Sequence, residues 1–200
     1  MRRGIHLAIL VCGIIGTVPP MSGQAFPGAG TMPAPLEVTL AYNAVRSNGS
    51  TGACACFWMQ GGKAEFSAAF TRGFSVIGEL AAQHVNGINS ANQDLGLVTY
   101  LFGPRFSYRK YRGFTLFGQA LIGGVHGFDA YFPNPNGSAV TPDAFAMAAG
   151  GGLNLGVSRH LAIRPVQMDY LRTQLPNDAG NRENSLRLGA GIVIMIDPPK

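Results

Sequence analysis

The sequence predicts an all-β protein, an eight-stranded antiparallel transmembrane barrel, and three observations carry that expectation. Apolar residues alternate with polar or small ones at period two along most of the chain, which places them on one face of a strand. The alternating runs are long. Leu95–Tyr108 and Phe114–Phe128 flank the basic stretch Arg109-Lys110-Tyr111-Arg112-Gly113. Runs of about 14 residues exceed the usual ~5–6, but suit tilted strands that cross a bilayer in ~9–11 residues and project beyond it. Finally, the chain is 46% hydrophobic and only 12% charged, with 28 glycines, whereas a soluble domain carries about 25% charged residues.

The N-terminus supplies a route to such a membrane. Arg2-Arg3 precede the apolar core Ile5–Val18, and Gly23-Gln24-Ala25 is small-residue cleavage chemistry. Residues 1–25 are therefore expected to be a secretory signal peptide, and Cys12 and His6 would be discarded with it. What remains has 13 basic and 10 acidic residues, a net +3. That charge is too small and too concentrated in turns for a nucleic-acid partner. No run of 18 apolar residues follows, so no helical membrane span is expected.

Residues 26–36, with Pro27, Gly28, Gly30, Pro33 and Pro35, read as a flexible leader without a core. The barrel is expected over 37–196, with 197–200 as a tail. Its first strand, Glu37–Arg46, sets Val38, Leu40, Tyr42 and Ala44 against Glu37, Thr39, Ala41 and Asn43. A loop follows over Ser47–Gly61. The second strand, Gly62–Thr71, opposes Ala64, Phe66, Ala68 and Phe70 to Lys63, Glu65, Ser67 and Ala69. Arg72-Gly73 is a tight turn into the third, Phe74–Val85. A polar loop, Asn86–Gln93, leads to the two long runs. In the first of these, Val98, Tyr100, Phe102, Phe106 and Tyr108 oppose Thr99, Gly103, Arg105 and Ser107. In the second, Leu116, Ala120 and Ile122 oppose Thr115 and Gln119. Asp129–Pro142 is a loop rich in Pro, Asn and Gly. The sixth strand, Asp143–Val157, turns at Ser158-Arg159-His160 into the seventh, Leu161–Thr173. After the loop Gln174–Glu183, the eighth strand, Asn184–Ile196, sets Leu186, Leu188, Ile192 and Ile194 against Ser185, Arg187, Gly189 and Gly191. The connections alternate long and short, as in bacterial outer-membrane barrels with short periplasmic turns and longer outer loops. Closure is required, because an open sheet edge would leave backbone groups unpaired in lipid at several kcal/mol each.

Several segments together resemble small bacterial outer-membrane β-barrel proteins of the OmpA-like transmembrane class. They are Cys54-Ala55-Cys56-Phe57-Trp58-Met59-Gln60-Gly61-Gly62, Phe102-Gly103-Pro104-Arg105-Phe106-Ser107-Tyr108-Arg109, Gly123-Gly124-Val125-His126, Gly150-Gly151-Gly152-Leu153, Ser158–Arg164, Gln167 with Asp169-Tyr170, and Leu186–Val193. The resemblance covers essentially 37–196. It implies an outer-membrane location, an eight-stranded barrel, and handling by periplasmic chaperones and the barrel-assembly machinery. It implies no agreed activity. Such barrels commonly end on an aromatic residue, whereas this chain ends Ile196-Asp197-Pro198-Pro199-Lys200.

Six charged residues, Lys63, Glu65, Glu79, Arg105, Asp169 and Arg187, fall on the inner parity. An Arg or Lys facing lipid at the midplane costs ~2–4 kcal/mol, and buried charges need partners. A lumen salt-bridge network is expected, acting as a plug or, alternatively, as a gated ion path; barrels of this size are normally filled by side chains. Arg164 falls on the lipid-facing parity near a short turn, where it is expected to snorkel. Cys54 and Cys56 lie in an exported loop where a disulfide is permitted, though the small ring would be strained. A metal site with His84 or His126, or free or intermolecular thiols, are the alternatives. Two cysteines fall short of a zinc signature, so neither metal nor cofactor is expected. Phe57 and Trp58 fit either anchors in the outer leaflet or a cover over the mouth. Catalysis would need a base and nucleophile within ~3 Å, and no Ser-His pairing with an orienting acid is visible. The expectation is a monomeric, non-enzymatic envelope component that displays its loops, with outer-membrane lipid as partner. A narrow ion or small-solute pore and a lipid-modifying enzyme are the alternatives. A soluble ligand barrel would put its apolar parity inside and charge outside.

Overall fold

The computed structural model describes residues 36–48, 56–71, 73–87, 94–111, 113–129, 132–134, 137–139, 141–176 and 181–196. The expected signal peptide, the leader up to residue 35, Cys54 and the tail 197–200 lie outside them. The strands are β1 (Leu36–Asn48), β2 (Cys56–Thr71), β3 (Phe74–Val85), β4 (Leu95–Tyr111), β5 (Phe114–Phe128), β6 (Phe132–Asn134), β7 (Gly137–Ala139), β8 (Asp143–Gly156), β9 (Leu161–Thr173) and β10 (Glu183–Ile196). β6 and β7 pair only with each other. The other eight close into one antiparallel barrel in the order β1-β10-β9-β8-β5-β4-β3-β2, with β1 also paired to β2. No open edge remains in the barrel, as lipid requires.

Tight turns join β2 to β3, β4 to β5 and β8 to β9 at one end. Gly73 (φ 98°) and Gly113 (φ 86°) make two of these turns possible, because L-residues with a Cβ rarely adopt that backbone. Each turn carbonyl is bonded by the neighbouring strand: Ser107 N donates to Gly73 O and Gly156 N to Gly113 O, both at 2.7 Å. The long connections gather at the other end.

The burial pattern is inside-out relative to a soluble barrel. Outward positions carry large apolar side chains, with Phe66 62% and Phe102 59% exposed, and Leu40, Leu80, Ile122, Met168 and Ile192 also exposed. Monomeric soluble proteins rarely expose contiguous apolar patches beyond a few hundred Å²; here the apolar surface encircles the wall. At the tight-turn end, Phe70, Phe74 and Phe106 stack across strands, with centroids 6.4 and 5.2 Å apart, forming part of an interfacial aromatic girdle.

Four expectations are corrected. Both described ends of the loop Ser47–Gly61 are strand: β1 continues to Asn48, and β2 begins at Cys56 and pairs with β1 from there to Ala68. The basic turn Arg109–Gly113 is shorter, since β4 runs to Tyr111. The loop Asp129–Pro142 contains the β6–β7 ribbon. Arg164 points into the lumen, because β9 holds a bulge. β10 advances from Gly189 to Gly191 while β9 passes from Gln167 to Arg164, and β8 from Leu153 to Leu155 while β9 passes from Val166 to Ile163. Pro165 and Val166 consequently both face outward. Proline has no N–H for a ladder bond and sits at such bulges, and one extra residue exchanges the faces of everything beyond it.

Candidate functional site: the lumen

The eight inward faces meet in a lumen made of two unlike halves. On most strands charged or amide side chains lie toward the tight turns and apolar ones toward the long connections; on β3 Ile77 lies on the tight-turn side of Glu79, and on β10 Val193 lies on the tight-turn side of Arg187.

The tight-turn half holds a buried ionic cluster. Glu65 lies at its centre, 2.9 Å from Lys63 Nζ and 2.5 Å from both Arg105 Nη2 and Arg164 Nη1. Glu79 meets Arg187 Nη1 at 2.6 Å and Lys63 at 3.4 Å. Asp169 lies 3.0 Å from Arg187 and 3.8 Å from Lys63. The six charged residues of the inner parity are thus brought together, and Arg164 joins them across the bulge. Amides bridge the charges. Gln119 accepts from Arg105 Nε and Nη2 at 3.0 and 2.6 Å, and donates to Asp169 at 3.2 Å. Gln167 accepts from Arg164 at 2.8 Å and donates to Asp169 at 2.9 Å. Arg164 also donates to Asn154 and Thr39 at 2.9 and 3.3 Å. The Cζ atoms of two guanidinium groups lie 4.4 Å (Arg105) and 4.5 Å (Arg164) from the Phe117 ring centroid. That is cation–π distance. Glycine makes room here: a Cβ on Gly150 would sit 2.5 Å from Asp169 Oδ1 and 2.1 Å from the Met168 carbonyl oxygen.

The other half is an apolar core. Val45, Met59, Leu95, Leu97, Leu101, Leu121, Val125, Ala146, Ala148, Leu171 and Leu175 pack together there, with Ile77 reaching down toward the ionic cluster. Each is at most 6% exposed. Asn43, Gln83 and Thr99 also face the lumen and are buried, Thr99 between Leu97 and Leu101 on the inner face of β4. The alternation argument overlooked this core, although a signal was present. From Leu95 to Phe102 both parities are largely apolar, the pattern of a strand buried on both faces.

Of the remaining candidates, Cys54 lies outside the described residues and Cys56 contributes backbone only, so the disulfide expectation falls outside what is described. His84 and His126 are on outward positions of β3 and β5, with β4 between them. His126 Nδ1 lies 2.8 Å from Asp143 Oδ1 near the long-connection rim. Among the described residues no three metal-ligating side chains cluster. Trp58 is outward on β2 and 46% exposed, which places it on the wall rather than over the mouth.

No protein-family model matches the sequence, and no curated protein matches it. Solved structures do. Neisserial surface protein A superposes with a TM-score of 0.63 at 9% identity, over 80% of this chain and 96% of that one. Ail, the attachment invasion locus protein of Yersinia pestis, superposes with a TM-score of 0.54 at 20% identity, over 82% of this chain and all of that one. At such identities the likeness concerns the fold: this chain has the architecture of the small outer-membrane barrels.

Proposed function

We propose that the chain is a bacterial outer-membrane barrel with a closed lumen, a structural component of the envelope that presents its four long connections at the cell surface. The observation that carries this reading is the double filling of the lumen, ionic cluster below and apolar core above, inside a wall whose outer surface is apolar. An open ion path would have to pass a packed layer of Leu, Val and Met side chains interspersed with a few buried polar ones such as Asn43, Gln83 and Thr99. The signal peptide expected over 1–25 supplies the export route. Periplasmic chaperones and the assembly machinery would receive the chain, and the tight-turn end would face the periplasm.

Display is tested by inserting an epitope between Asn134 and Gly137, at the tip of the β6–β7 ribbon. Antibody should reach it on intact cells. Detection only after the outer membrane is permeabilised would overturn the orientation and the display role.

A further inference from the structure

Among outward-facing side chains of the barrel strands whose placement is described, the two arginines are Arg46 on β1 and Arg172 on β9. Their position along the barrel is informative. On β1 the outward residues run from Leu36 at the tight-turn end through Val38, Leu40, Tyr42 and Ala44 to Arg46. At ~3.3 Å per residue this is about 33 Å along the strand. For a tilt near 40° it projects to about 25 Å on the barrel axis, the height of the apolar band of an outer-membrane barrel. With the Phe70–Phe74–Phe106 girdle marking one boundary, Arg46 lies at the opposite one.

The neighbours agree. Arg46 is flanked across the strands by Trp58 and Leu186, and Arg172 by Met147 and Asn184. Tyr170, one outward position below Arg172, donates to Asn184 Oδ1 at 2.5 Å. Trp and Tyr collect at membrane–water interfaces. The outward carboxylate nearest this rim on β8, Asp143, is held by His126. Only β10 separates β1 from β9, and Arg172 is two residues beyond the position in register with Arg46, so the backbones bearing the two arginines are roughly 12 Å apart. Two cations at this spacing and depth match a lipid headgroup that carries phosphate on a saccharide, as the outer leaflet of a bacterial outer membrane presents. Arginine is suited to it, because its planar fork binds phosphate oxygens in pairs.

We propose that Arg46 and Arg172 form a docking site for the phosphate groups of an outer-leaflet glycolipid, with Trp58 packed alongside the bound headgroup. This rests on the outer-membrane reading above. The chain has one tryptophan, so its emission reports on the site alone. Full-length barrel folded in neutral detergent would be titrated with bisphosphorylated lipid A and, separately, with its dephosphorylated form. The phosphorylated lipid should shift Trp58 emission saturably and the dephosphorylated lipid should not. R46Q/R172Q should weaken the apparent affinity at least about tenfold, as expected for losing charge-assisted contacts. R46K/R172K should recover part of it, and R159Q, at the tight-turn end, should bind as the parent does. Equal responses to the two lipids, or an R46Q/R172Q variant that binds like the parent, would overturn the site. Either result from a barrel that still migrates faster unboiled than boiled on a gel would leave the membrane reading standing. Loss of that mobility difference in the parent chain would overturn both.

Discussion

The two halves of the lumen are closed by different physics on the same wall. In the tight-turn half, Glu65 is surrounded by Lys63, Arg105 and Arg164 within 2.9 Å. Each charge is tolerable only because the others are present. In the other half, Leu97, Leu121, Val125 and Leu171 fill space without directional demands. The difference teaches where the molecule is brittle. An ion cluster buried away from water responds to the loss of one member as an uncompensated charge. An apolar core responds to the loss of one side chain as a cavity, whose cost depends on how far neighbours collapse into it.

The largest effect is therefore expected at Glu65. Glu65→Gln keeps the shape and removes the charge on which three cations converge. It should lower unfolding stability by about 3–5 kcal/mol, read from the urea midpoint of the barrel in lipid vesicles. A change within error of zero would mean the cluster is hydrated and not a buried network. Leu121→Ala, in the apolar half, should cost about 2–4 kcal/mol in the same measurement. If it exceeded Glu65→Gln, the contrast between the halves would be broken. The contrast is sharpened by removing a pair together. Arg187→Met and Glu79→Leu should each destabilise, and the double variant should cost less than their sum by about 1–3 kcal/mol. Strict additivity would deny the coupling that the 2.6 Å contact between them implies. The smallest effect belongs to the rim, where Asp143→Asn removes the carboxylate that His126 contacts, in a pair whose side chains are 71% and 41% exposed. Exposed pairs contribute about 0–1 kcal/mol, so the urea midpoint should barely move.

Much of this architecture was legible in the residues. Period-two alternation marked the eight barrel strands, the short turns at Gly73 and Gly113 stood out, and the same alternation put six charged residues on the inner parity. Three features were hidden, each for a physical reason. Arg164 was assigned to lipid because parity was carried through Pro165, and a single bulged residue reverses every assignment beyond it. A proline within a strand was the available warning. Cys56–Gly61 is strand through its pairing with Asn43–Asn48 of β1, distant in sequence, which alternation within the segment does not reveal. The apolar core is carried by Leu95, Leu97 and Leu101, in a run where both parities are apolar and lipid contact accounts for only one of them. Where both faces of a strand are apolar, sequence cannot tell lipid from core without knowing what the neighbouring strands place inside.

The central claim is that the lumen is closed, and the most direct measurement is single-channel recording of the folded chain in a planar bilayer. Insertion would be verified by the difference in gel mobility between unboiled and boiled samples of the same preparation. The account predicts a flat current baseline across the applied voltages. Reproducible unitary current steps from the unmodified chain would contradict it and show that the ionic cluster and the apolar core leave a path between them.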